Sequence, residues 1–234
     1  MKKIFSFKPK LIPTLFTIPA LILLLGLSFW QFQRLQWKES LIAEIDHKIQ
    51  IPMVLLPKNV DLHEMLYRKV KVKGEFLHKN EMYVYGGTTK PSNEHFYYIL
   101  TPFLTEDGRL VIVNRGWVPE KLKHPDSRSN SLIQGQVEVI GAIMINEEKS
   151  AYIHDNQPER NLWFYINLEE ISTFLSKPVE KFYILSQYEE GDFPKGRDIK
   201  PNLYNNHLGY ALTWLFSALS LVVIYVLYHQ KNEK

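Results

Sequence analysis

Few side chains in this sequence are candidates for chemistry, and the eight histidines come first. Those at 47, 63, 78, 95, 124 and 154 stand singly among polar neighbours, the setting of a solvated surface imidazole. His63 opens "HEMLY", which begins like the zinc-protease H-E-x-x-H, but Tyr67 occupies the place of the second ligand. There is no G-x-S-x-G elbow, no P-loop and no G-x-G-x-x-G. With no cysteine, zinc–thiolate sites, thiol–disulfide exchange and cysteine-based copper relays are excluded. His207 is placed differently, at the first turn of a long apolar run in "YNNHLGYALTWLF" (204–216). A helix N-terminus carries partial positive charge, which disfavours an imidazolium, and burial near lipid disfavours it too. Asn205 or Asn206 caps the helix and leaves the imidazole free of that duty. The expectation is a neutral ring with an available lone pair, the form that ligates a metal. Tyr210 and Trp214 share the helix face with His207, and an interfacial aromatic belt accounts for both of them. His229 lies about 33 Å further along such a helix and cannot complete a two-histidine site with His207.

A second candidate is "GRLVIVNRGWVP", where an apolar strand runs into Asn114, Arg115, Gly116 and Trp117. One reading is a central strand ending in a turn, with Trp117 packed on the core and Gly116 supplying backbone freedom. The other is a recognition edge at which Arg115 and Trp117 meet a partner or an anionic ligand.

The elements that position these residues begin with two uncharged apolar runs, 11–33 and 208–228. The second, 21 residues long, makes a helix of roughly 32 Å, about the thickness of a bilayer's hydrocarbon core. Both read as transmembrane helices; the mean hydropathy of −0.20 reflects the large polar segment between them. The first run is longer than a signal-peptide core and is read as a retained anchor. Pro13 and Pro19 are expected to bend its early part. Lysines 2, 3, 8 and 10 precede it, and two lysines follow the second run. Positive tails place both termini in the cytoplasm, or in the matrix of an organelle, and the intervening segment outside; with no Arg/Ser-rich presequence before the first span, the expectation is a bacterial inner membrane. The division is therefore a basic tail (1–10), a first span (11–33), a periplasmic domain (34–206), a second span (207–228) and a tail (229–234). The net charge of +3 reflects this topology and is no sign of nucleic-acid binding.

Past the first span, Leu35, Leu41, Ile42, Ile45 and Ile49 have helical spacing, with Trp30, Arg34, Trp37 and Leu41 along one side, up to Pro52 and Pro57. "RKVKVKGEF" alternates lysine with valine at period two, a half-buried strand. "EMYVYGG", "HFYYILTPFL", "RLVIVNRGWVP", "GQVEVIGAIM" and "KFYILSQ" also read as strands, and Asp107-Gly108 as a hairpin turn. "NLEEISTFLS" is a short helix capped by Asn167, and 188–206 a polar linker. The fold class is two transmembrane α-helices flanking a β-rich α+β extramembrane domain, built as an antiparallel sheet or partly closed barrel.

Taken in order, "FWQFQRLQWKESLI", the "KVKGEF" strand, "LVIVNRGWVP" and the closing "NNHLGYALTW" span resemble the Surfeit locus protein 1 family over nearly the whole chain. That resemblance implies an assembly factor for haem-copper cytochrome c oxidase, one that is not an enzyme and that delivers haem a to the catalytic subunit I. Oxidase assembly intermediates and haem a synthase are the implied partners. It singles out His207 as axial ligand to the haem iron, with Trp214 two turns below, and it matches Gly74 and the 114–119 loop. The two haem propionates make Arg34 and Arg115 candidates as well, because an Arg fork suits a carboxylate. The alternative is a cofactor-free membrane scaffold that holds an oxidase intermediate, with His207 anchoring the helix.

Overall fold

The computed structural model describes residues 6–7, 9–146, 149–187, 193–196, 199–200 and 204–231. Lysines 2, 3 and 8, the last three residues and most of the polar linker lie outside these. In chain order the elements are β1 (Ser6–Phe7), α1 (Leu11–Gln50), β2 (Val54–Leu55), α2 (Leu62–Met65), β3 (Lys69–Phe76), β4 (Met82–Thr88), β5 (His95–Thr105), β6 (Leu110–Pro119), β7 (Gln136–Met144), β8 (Leu162–Trp163), α3 (Leu168–Leu175), β9 (Tyr183–Ser186), α4 (His207–His229) and β10 (Gln230–Lys231). The chain divides into two units, Met1–Glu44 with Asn202–Lys234, and Ile45–Pro201.

The first unit is built on α1 and α4, both long and apolar enough to cross a membrane. Pro13 falls in the first turn of α1, where a missing N–H costs nothing, and Pro19 is taken inside a continuous helix. The two helices run antiparallel and are joined by polar contacts along their length. His207 Nδ1 meets Gln31 Oε1 at 2.7 Å. Ser28 Oγ donates to the Ala211 carbonyl at 2.9 Å. The Thr14 and Tyr225 hydroxyls meet at 2.5 Å, and Lys10 Nζ reaches Tyr228 Oη at 3.5 Å. From the first contact to the last, α4 advances from 207 to 228 while the facing chain falls from 31 in α1 to Lys10 just before it, which is 21 positions on each. The register therefore holds over roughly 32 Å. Ala211 and Ala218 are buried in the seam, whereas Gly209 faces open space. Small residues of this kind let helix backbones approach closely in lipid.

The second unit is a closed five-stranded barrel with extra strands at its edges. The ring runs β3–β7–β9–β6–β5 and returns to β3. All pairings in it are antiparallel except β6–β9, which is parallel. The six strands read from sequence are present; β2 and β8, each two residues long, are too short to leave a periodic pattern. Alternation builds clusters on both sides of the sheet. Val70, Val72, Phe103, Val111, Val113 and Ile184 fill the barrel. Ile112, Ala142, Tyr183 and Leu185, whose side chains point the other way, pack under α3 through Leu168 and Ile171. Burial on both faces explains why β6 and β9 read as unbroken apolar runs. Asn167 caps α3 by accepting from the backbone N–H groups of Glu169 and Glu170.

Closure is concentrated on β3. Its one edge is taken by β7 from Lys69 to Glu75. Its other edge is shared by β2, at Val70 and Lys71, and β5, at Gly74 to Phe76. Gly74 sits in the crowded part: a Cβ there would lie 2.2 Å from the Leu104 carbonyl oxygen.

β6 runs on to Pro119, as the strand "RLVIVNRGWVP" was read, and Asn114 to Trp117 lie within it where one reading of the sequence ended the strand in a turn. Arg115 and Gly116 together oppose the single residue Ile99, a β-bulge permitted by a φ of 109° at Gly116. The extra residue re-aims Arg115 into a buried cluster around Glu81. Glu81 accepts from Arg115 Nη1 at 3.3 Å, from both Arg128 Nη atoms, from Thr101 Oγ1 at 3.3 Å and from His78 Nδ1 at 3.5 Å. Arg128 also donates to the Leu122 and Lys123 carbonyls, and Arg115 to the Ser131 carbonyl. Burial alone would raise the Glu81 carboxyl. The His78 and Arg128 hydrogen bonds and the charges of Arg128 and Arg115 outweigh that and hold it below its ordinary 4.5.

Two outcomes are expected in thermal unfolding of the detergent-solubilised full chain, followed by near-ultraviolet circular dichroism. Gly74→Ala destabilises the barrel by about 1–3 kcal/mol, because the clash is with backbone and no rotamer relieves it; Gly26→Ala, in open space on α1, does not. Glu81→Gln costs about 3–5 kcal/mol by leaving two buried guanidinium groups without their counter-charge. The exposed Lys71–Glu138 pair is worth less than about 1 kcal/mol to Lys71→Ala. Since the folded-state value of Glu81 is depressed, its stabilisation is present above 4.5 and is lost as the pH falls below it. Glu81→Gln therefore flattens the acid limb of the stability profile.

Candidate functional site

His207 opens α4, and the geometry around it differs in detail from the sequence expectation. The N-cap position belongs to Asn206, whose side chain makes no capping bond and donates instead to the Tyr204 hydroxyl at 2.7 Å. The oxygen that accepts from the His207 backbone N–H, at 3.3 Å, is Asn205 Oδ1. The ring itself is half-buried, with Nδ1 against Gln31. Among the described residues, Nε2 makes no hydrogen bond. One turn on, Tyr210 is 55% exposed, as an aromatic at headgroup depth would be. Trp214, one turn further, is half-buried.

Arg34 lies three positions past Gln31 on α1, one helical turn away. Its guanidinium sits 5.8 Å from the Trp30 ring centroid and 5.5 Å from that of Trp37, both exposed indoles. Stacking of this kind orients the guanidinium at little cost in solvation. Thus His207, Tyr210, Trp214 and Arg34 all belong to the helical unit.

Asn114, Arg115, Gly116 and Trp117 belong to the barrel unit. Asn114 is buried, and its Oδ1 accepts from the Gly116 N–H at 3.0 Å, bracing the bulge. Gly116 presses against the Lys195 carbonyl, where a Cβ would stand 2.1 Å away. Trp117 exchanges backbone hydrogen bonds with Lys195 at 2.8 and 2.9 Å, and its half-buried ring meets Phe96 and Phe193 edge-on. Arg115 lies over Phe76, 4.9 Å from its centroid, and is 8% exposed. It forms part of the wall of a cleft of about 310 Å³ with Phe76, Ser131, Val139 and Gln187.

Three residues of functional interest were missed from sequence. Glu81 and Arg128 look like ordinary surface charges until the bulge brings Arg115 to them. Gln31 did carry a signal, as a polar amide inside an uncharged apolar run, where an unpaired polar group is costly. Among the described residues, no group of three or more His, Asp or Glu side chains is placed to hold a metal ion.

Known proteins are similar to this chain in sequence over most of its length. A family model described as the SURF1 family matches residues 18–219. A SURF1-like protein of Rickettsia conorii is 33% identical over 214 residues, covering 89% of this chain and 88% of that protein. The Surfeit locus protein 1 of Homo sapiens is 34% identical over 206 residues, covering 81% of this chain and 68% of that protein. A SURF1-like protein of Monosiga brevicollis is 34% identical over 212 residues, with 85% and 80% covered. The match takes in α1 from Ile18, the whole barrel and α4 as far as Leu219, so His207, Arg34 and the bulge at Gly116 all lie within it. On these grounds the chain belongs to the SURF1 family.

Proposed function

We propose that this protein is an assembly factor for haem-copper cytochrome c oxidase that carries haem a on the His207 imidazole and assists its insertion into subunit I. Family membership supports the first part. The observation that carries the second is His207, half-buried at the end of a candidate membrane helix with one ring nitrogen bonded and the other without a partner among the described residues. The chemistry of the group suits these donors: a haem brings an iron that takes an imidazole lone pair and two propionates that take cationic forks. In this reading His207 would hold the iron, Trp214, two turns further along α4, would line the same side, and Tyr210 would mark the headgroup level. Arg34 offers its stacked guanidinium to a propionate. Arg115, engaged with Glu81 and Ser131, is the lesser candidate; of Asn114 to Trp117, the half-buried Trp117 ring is the part offered to oxidase partners, with the buried Asn114, Arg115 and Gly116 bracing the strand behind it. A single neutral ligand at a boundary favours passage over storage, which fits a carrier that receives haem a from its synthase and gives it up to subunit I. The chain is assigned to a bacterial inner membrane as a two-span protein, with both termini cytoplasmic and the barrel periplasmic, on its lysine distribution. The role is that of a carrier, with no reaction assigned to it.

The cofactor-free scaffold has one observation in its favour. The His207–Gln31 bond is by itself a sufficient reason for a histidine at that place, since it ties the two spans together. The optical spectrum of the full-length protein, purified in detergent from cells that make haem a, separates the two. The carrier shows a Soret band that His207→Ala abolishes. Full haem occupancy in that variant would remove the ligand role, and a colourless wild type that still co-purifies with oxidase subunits would establish the scaffold.

A further inference from the structure

Gln31 stands inside a 23-residue run without a charged side chain, and its amide has a defined partner across the helix seam. Its Oε1 lies 2.7 Å from His207 Nδ1. With the amide oxygen facing the ring, Gln31 accepts and Nδ1 carries the proton, which is the tautomer we assign to His207. The lone pair of the neutral ring is then on Nε2, which makes no hydrogen bond among the described residues. The other polar contact of His207, with Asn205, is made by its backbone N–H and does not touch the ring. The imidazole is therefore oriented from α1, by one acceptor.

We propose that Gln31 is a positioning residue for haem ligation: it selects the tautomer that presents Nε2 and sets how strongly that nitrogen donates. This rests on His207 being the ligand. An acceptor on Nδ1–H shifts electron density toward the opposite nitrogen, and a stronger acceptor shifts more of it. Without an acceptor, the ring is free to put its hydrogen on Nε2, a form that cannot ligate, or to rotate out of line.

The test titrates the detergent-solubilised full chain with haemin and measures both affinity and the midpoint potential of the bound iron. Gln31→Leu is expected to weaken binding by roughly 10–100-fold and to raise the potential. Gln31→Glu, a stronger acceptor at the same place, keeps the affinity and lowers the potential. Ser28→Ala removes the neighbouring interhelical bond to the Ala211 carbonyl and should leave both quantities unchanged. Wild-type affinity and potential in Gln31→Leu would overturn the proposal. So would equal weakening in Ser28→Ala, which would make Gln31 a helix-packing residue. If Gln31→Leu does not fold, the potential of Gln31→Glu decides: a lowered value supports the role and an unchanged one ends it. His207→Ala is run alongside. Undiminished haemin binding there removes the ligand reading itself, whereas loss there with no change in the Gln31 variants removes the part assigned to Gln31.

Discussion

Every backbone N–H and C=O withdrawn from water needs a partner, and the two units meet that requirement by opposite routes. The barrel meets it between strands. β3 has β7 along one edge, while β2 and β5 divide the other, so the sheet closes without leaving a long open edge in its ring. That closure brings the β5 backbone against Gly74, and the glycine follows from the closeness. α1 and α4 meet the requirement within themselves, the route open to a candidate membrane span. What remains for the helices is to find each other, and for two apolar helices in lipid no hydrophobic gain would drive it. Polar side chains on the facing surfaces take over that task, and His207 and Gln31 are among them.

The buried charge cluster shows a different balance. Glu81 brings two arginines and a histidine into the barrel wall, at a desolvation cost that many such clusters do not recover in stability. Its geometric effect is clear even so. It fixes the segment carrying Arg128 and Ser131 against the strand carrying Arg115, two stretches with no regular strand pairing between them. The bulge at Arg115–Gly116 makes this possible, by turning a side chain that simple alternation would have placed elsewhere.

Much of the fold was legible because its signals are local. The Lys–Val alternation of β3, the Asp107-Gly108 turn and the Asn167 cap each depend on a few neighbouring residues, and each is found in place. The register of β6 was not legible, since a bulge is a relation between two strands and Arg115-Gly116 reads the same with or without one. The parallel pairing of β6 with β9 was hidden for the same reason. At the candidate site, the position of His207 at a helix start could be read, together with a capping asparagine. Which asparagine supplies the oxygen could not, because Asn205 and Asn206 compete for it by geometry alone. The pairing of His207 with Gln31 spans 176 positions of sequence, and nothing local announces it.

The seam between α1 and α4 has a geometric consequence for its histidine. Sliding one helix past the other by a single residue is a step of about 1.5 Å and turns its side chains by about 100°. Such a slip would break the contacts from Lys10–Tyr228 to Gln31–His207 together, so these contacts act as the teeth of a rack. The imidazole at one end of the seam is thus kept in register from the other, by Thr14 and Tyr225 about five turns away. Its height against α1 is a property of the whole helix pair, as a key's depth in the lock is, while its direction is left to the one acceptor it meets there.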